Sequence, residues 1–209
     1  ACYSLVGLLI GVGAAAVYKA CVAFLPASAS IVLVLLFAVV VTGALHEDGL
    51  ADCADGFLGA RERGRVLDIM RDSRIGTFGA LAVVFAILLK YASLLSLTER
   101  EILRSVVIAP VLSRWLVLPL AMAMRPARPA GLGSAFAAQV GMAQVVVSAI
   151  PVVIIGGLLF QVSFVALTAG AAAAVALFAW YCHRRIGGLT GDCLGAAIQL
   201  AEITTYLAV

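Results

Sequence analysis

Apolar runs of spanning length recur along the chain with short polar intervals between them, and each run predicts a transmembrane helix. Residues 5–25 form the first, which Pro26 and Ser28 end. Residues 31–45 begin the second, which is short for a span, so the polar stretch behind it is expected to continue the same helix to about Asp55. Residues 76–97, 105–124, 144–160 and 164–182 predict four more spans. A last helix is expected over 192–209, capped by Thr190 or Asp192 after a turn that holds Gly187, Gly188 and Gly191. With no internal repeat and no dividing linker, the pattern predicts one all-α polytopic membrane bundle over residues 1–209. It has about six spans and a C-terminal helix.

Composition narrows the class. Charged residues make up 12% of the 209 and hydrophobic ones 64%, whereas a soluble domain carries roughly 25% charged residues. The mean hydropathy is +1.15. The core of a soluble protein has no room for that much apolar surface, so a lipid bilayer is the expected environment. The chain opens at Ala1, already in apolar sequence and without an initiator Met, and a preceding segment is expected. The net charge of +3 is spread over several loops with no basic stripe interleaved with aromatics, which excludes a nucleic-acid-binding surface. Cys2, Cys21, Cys53, Cys182 and Cys193 are odd in number and lack CxxC spacing. They read as reduced small hydrophobes.

Basic residues set the orientation. Six alternating spans put the 46–75, 125–135 and 183–191 loops on one side, with nine arginines, against Arg100, Arg104, Lys19 and Lys90 on the other. The positive-inside rule makes the arginine-rich side cytoplasmic, with Lys19 and Lys90 snorkelling near helix ends.

That side also carries the densest charge in the chain, LHEDGLADCADGFLG at 45–59. Asp48, Asp52 and Asp55, beside Glu47, follow i, i+4, i+7 spacing, which stacks three like charges on one helical face. Such a stack requires a cation, paired arginines or partial protonation. Asp68 and Asp72 make a second i, i+4 pair, and Gly56, Gly59 and Gly64 permit the reversal that would bring the two acidic faces together. Facing carboxylates suit a hard cation, Mg²⁺, Mn²⁺ or Ca²⁺, and Glu47, Asp48, Asp52, Asp55, Asp68 and Asp72 are the candidate ligands. Arg61, Arg65, Arg71 and Arg74 flank the second pair. Divalent metal with arginine binds and polarises a phosphate or diphosphate. For 61–74 the competing reading is a solvated face of weak ion pairs. Arg114 stands mid-span after Ser113 and needs a carboxylate or polar cavity, with a substrate phosphate as one candidate partner. His46 abuts the acidic stack as a candidate base.

Three segments carry a family resemblance: HEDGLADCADGF (46–57), ARERGRVLDIMRDSRIGTFG (60–79) and GGLTGDCLGAAIQLAE (187–202). With SLVGLLIG (4–11) and the Ser113–Arg114 pair, they closely resemble the cobalamin synthase family over nearly the whole chain. The resemblance implies a Mg²⁺-requiring enzyme of the bacterial inner (cytoplasmic) membrane, its site facing the cytoplasm. It would join adenosylcobinamide-GDP to α-ribazole, or to α-ribazole 5′-phosphate, and release GMP. The third segment makes Thr190, Asp192 and Glu202 candidate substrate contacts. A more distant likeness to the CDP-alcohol phosphotransferases, in Asp52, Asp55, Gly56, Ala60, Arg61, Gly64, Asp68 and Asp72, makes the four aspartates the leading metal ligands and Asp72 the candidate general base. Asp55 and His46 are grouped with Asp72 as catalytic. A lipid-making phosphotransferase and a divalent-cation carrier are the rival functions, and a homo-oligomer is compatible with the sequence.

Overall fold

The computed structural model describes residues 3–128 and 131–209. Among them the chain forms ten helices: α1 (Tyr3–Val22), α2 (Ala27–Thr42), α3 (Leu45–Gly59), α4 (Arg63–Ile69), α5 (Thr77–Leu95), α6 (Glu99–Ala123), α7 (Leu132–Gln139), α8 (Met142–Phe160), α9 (Ser163–Ile186) and α10 (Gly191–Leu207). Helices α1, α5, α6, α8 and α9 are each long and apolar enough to cross a membrane. The protein is thus an all-α multi-pass membrane protein. Residue Cys2, read above as a small hydrophobe, lies outside the described residues.

The second apolar run does not continue into the acidic stretch. Gly43 (φ 62°) and Ala44 (φ 57°) are both left-handed, and α3 leaves α2 at 87°. Gly43 ends α2 because only glycine takes that conformation without cost, and the N–H groups of Gly43 and Ala44 return to the Val40 and Val39 carbonyls. Ala44 is strained by about 1 kcal/mol in the same region, which the packing of α3 must offset. The acidic helix therefore turns across the bundle, outside the straight spans.

Helix α6 is the central post. It begins in a Thr98–Glu101 capping box and buries most of its length. Apolar association is weak in lipid, so close backbone contact does much of the packing. At Gly7 and Gly11 of α1 an added Cβ would lie 2.2 Å from the Pro110 carbonyl oxygen and 2.7 Å from that of Val107. Outward side chains such as Leu9, Phe85 and Leu158 are exposed, as lipid-facing positions are. Helix α10, expected as a C-terminal helix, is a core element whose Ala196, Ala197 and Ala201 are fully buried among α3, α6 and α9.

The three arginine-bearing loops meet at one end, as the alternating spans require. Arg63 donates from Nε to the Ile186 carbonyl (2.9 Å) and from Nη2 to that of Ala127 (3.2 Å). Arg185 donates to the Phe57 and Ala60 carbonyls. Backbone bonds join Ala127 to Leu189 and Leu189 to Arg125.

Candidate active site

The site forms where the first turns of α3 and α10 touch. A Cβ on Gly49 would stand 2.7 Å from the Asp192 carbonyl oxygen and 3.1 Å from its Cα. A Cβ on Gly195 would lie 3.3 Å from the Leu45 carbonyl oxygen. Glycine at both positions lets the two backbones approach. Thr190 caps α10, its Oγ1 accepting from the Cys193 N–H at 3.2 Å; of the two expected caps, Thr190 takes the role, and Asp192 stands in the first turn of the helix. Such a cap contributes about 1 kcal/mol.

This seam brings Asp192 to Asp48 and Asp52, a juxtaposition between residues far apart in sequence. Burial first, and then the charges of Asp48, Asp192 and Asp55, raise the Asp52 carboxyl to about 7. Burial chiefly raises Asp192 as well, with Asp48 adding to it. The Oδ2 atom of Asp192 is buried with no hydrogen-bond partner, and Arg128 Nη1 stands 4.0 Å from it. Arg128 is held by a 2.7 Å bond from Nη2 to the Leu67 carbonyl, and its Nε is buried and unpaired. In the sequence Arg128 is one of nine loop arginines, and nothing in its neighbourhood pairs it with Asp192. A cavity of about 520 Å³ opens beside these groups, with Asp48, Asp192, Arg128 and Thr190 on its wall.

The second acidic pair does not join them. Helix α4 ends at Ile69, so Asp72 lies in the following turn and is not stacked on Asp68. Asp68 is exposed. Asp72 is gripped by Arg74, with Nη2 to Oδ2 at 2.6 Å and Nε to Oδ1 at 3.0 Å. These bonds hold its carboxyl down at about 2, which leaves it a weak base where it stands. Asp55 is occupied too: its Oδ2 accepts from the Gly76 N–H (2.7 Å) and its Oδ1 from the Gly79 N–H (2.8 Å), at the start of α5. The expected cage of Asp52, Asp55, Asp68 and Asp72 is therefore not assembled. Among the described residues no three His, Cys, Asp or Glu side chains form a ready-made metal cage. Arg61, Arg65, Arg71 and Arg74 are exposed on that same stretch.

Arg114 and Glu202, expected at the substrate, are closed on each other in the interior. Arg114 Nη1 lies 3.0 Å from Glu202 Oε1, and Lys90 Nζ lies 2.7 Å from Glu202 Oε2. Lys90 is buried at 6% exposure, so it does not snorkel as expected. His46 Nδ1 is 3.5 Å from Arg114 Nη2, and burial and that guanidinium lower its imidazole to about 4. Glu47 turns to the same cluster: its Oε1 accepts from Gln199 Nε2 at 2.9 Å, and its Oε2 is buried without a partner. Glu47 is thus drawn away from the Asp48–Asp52 face. Gln199 and Lys90 went unnoticed as site-supporting residues, because one is neutral and the other resembles an interfacial lysine.

These features define a multi-pass helical membrane protein with an acidic seam beside a cavity. The family model described as cobalamin-5-phosphate synthase matches residues 1–209. The chain is 39% identical over 207 residues to the adenosylcobinamide-GDP ribazoletransferase of Clostridium kluyveri, a match covering 97% of this chain and 81% of that protein. It is 39% identical to the enzyme of the same name from Clostridium novyi (98% and 82% covered) and 33% identical to that of Clostridium tetani (97% and 81% covered). No solved structure matches it. The chain belongs to the cobalamin-5-phosphate synthase family and is a transferase of cobalamin synthesis.

Proposed function

We propose that the protein joins adenosylcobinamide-GDP to α-ribazole, or to its 5′-phosphate, at the α3–α10 seam. The ribazole hydroxyl attacks the phosphorus nearer cobinamide and gives its proton to a carboxylate of the seam; the new O–P bond forms as the P–O bond to GMP breaks. The observation that carries this reading is a cavity with Asp48, Asp192 and Arg128 on its wall, and Asp52 close enough behind it to feel the charges of Asp48 and Asp192. Carboxylates crowded in this way suit a divalent cation, and Mg²⁺ typically takes one or two carboxylates and completes its shell with substrate phosphates and water. Asp48, Asp52 and Asp192 would hold it; Mn²⁺ fits the same oxygen donors. When bound, the ion supplies charge stabilisation to the diphosphate oxygens. Arg128 reaches the same oxygens from the cavity wall, while Arg61, Arg65, Arg71 and Arg74 form an exposed basic approach for an anionic substrate. The excess of arginine at this end supports a cytoplasm-facing site in the bacterial inner membrane.

The test is turnover by purified protein in liposomes supplied with Mg²⁺, adenosylcobinamide-GDP and α-ribazole. Product and GMP should appear together, and Asp48→Asn and Asp192→Asn should each lower the rate by about 10²-fold or more. Release of CMP from a CDP-lipid instead, or cation flux with no transfer, would overturn the reading.

A further inference from the structure

The cavity of about 520 Å³ has two unlike ends. One is the polar end, with Asp48, Asp192 and Arg128. The other is mainly apolar, walled by Tyr3 of α1 and Phe136 of α7, whose rings pack at 5.4 Å between centroids and are tilted by 54°, together with Val117 of α6, Ile198 of α10 and the polar Gln139 of α7. The short helix α7 closes the cavity because it sits on the start of α10: a Cβ on Gly133 would lie 2.5 Å from the Gly191 nitrogen. Pockets of roughly 300–1,000 Å³ enclose drug-sized ligands. A base with its ribose is of that size, whereas a corrin ring with its side chains is larger.

We infer that this cavity is the nucleoside subsite, with a fused-ring apolar base against the wall formed by the packed Tyr3 and Phe136 rings and by Val117 and Ile198, and the ribose directed to Asp48 and Asp192. The inference rests on the transferase reading for its choice between the two nucleosides on offer. Guanine carries donors and acceptors around most of its edge, more than Gln139 can meet beside Val117, Ile198 and Phe136 when Ser134 already donates to the Gly131 carbonyl. The base of α-ribazole, a dimethylated benzimidazole, has a single free ring nitrogen and a six-membered ring edged only by C–H and methyl groups. Aromatic side chains hold such a ring through its face. In that pose the ribose hydroxyls lie at the acidic end, where the attacking oxygen is needed, and the guanosine half of the other substrate must occupy space outside the cavity.

Equilibrium dialysis of radiolabelled α-ribazole against the full-length protein in detergent tests this, with labelled GMP as the comparison. Phe136→Ala removes one wall of the slot. Ala135→Phe narrows the cavity from an exposed lining position that the core does not need. Each is expected to weaken α-ribazole binding about tenfold and to leave GMP binding unchanged. Two variants that bind α-ribazole as tightly as the parent, or that lose GMP affinity instead, would overturn the subsite. Intact α-ribazole binding without any turnover by the parent protein would sink the transferase reading and leave the subsite standing.

Discussion

Asp52 shows what a single carboxylate reports about its surroundings. Its ordinary value is 3.8, and in the folded protein it is raised to about 7 by burial and by Asp48, Asp192 and Asp55. Between those two values the folded chain holds a proton that the unfolded chain has released. Metal-free protein should therefore lose stability as pH rises from about 4 to about 7 and change little from this source above that. A bound divalent cation replaces the proton, so Mg²⁺ should raise the melting temperature at pH 8 and do much less at pH 5. Asp52→Asn should flatten the metal-free slope. Melting curves over this range, with EDTA and with Mg²⁺, measure all three; a metal-free midpoint independent of pH would refute the crowding of these carboxylates. The i, i+4, i+7 pattern made the like-charge stack on α3 legible. Asp192 as a member of that cluster was not, since it depends on which helix packs on Gly49.

At the scale of elements, the apolar runs gave five of the membrane segments at close to their observed bounds because lipid imposes length directly. What they hid was direction. The 31–45 run appears continuous with the acidic stretch by hydropathy, yet Gly43 is the left-handed stop that turns α3 by 87°. A glycine at the end of an apolar run was the available signal, outweighed by the count of residues still needed to span. The Asp68–Asp72 pair failed for a similar reason: i, i+4 spacing means one face only where a helix persists, and α4 stops at Ile69. The α3–α10 seam carries its own prediction. Gly49→Ala puts a methyl 2.7 Å from backbone that cannot rotate away, so the helices must separate. Overpacking of this kind costs about 1–3 kcal/mol, and the displaced aspartates should lower turnover by about 10²-fold, since small misplacement is costly to an oriented reaction. Gly64→Ala, where nothing lies within 4 Å, should be close to neutral in both assays. Equal loss from the two variants would show that the seam does not position the site.

Across the whole molecule, the four helices that frame the site are tied by charge inside an apolar bundle. Lys90 comes from α5, Arg114 from α6, Glu202 from α10, and His46 and Glu47 from α3. Glu202 is the hub because it accepts from both cations, while Glu47 is held by Gln199 at 2.9 Å. The asymmetry fixes the consequences of breaking it. Lys90→Met removes one cation and leaves Glu202 bonded to Arg114, so a compensated pair survives. Glu202→Gln leaves Lys90 and Arg114 buried together without their shared anion, and an unpaired buried charge of this kind costs about 3–5 kcal/mol. Glu202→Gln is therefore expected to lower the melting temperature in detergent well beyond Lys90→Met, and the Lys90→Met/Glu202→Gln double variant should be more stable than Glu202→Gln alone because one stranded cation is gone. If Lys90→Met proved the more damaging single change, or if the double variant simply summed the two losses, Glu202 would not be the hub. The tie between α3 and the rest of the bundle would then rest on the α3–α10 backbone contact, the Asp55 bonds to the start of α5 and the Arg185 bond to the Phe57 carbonyl.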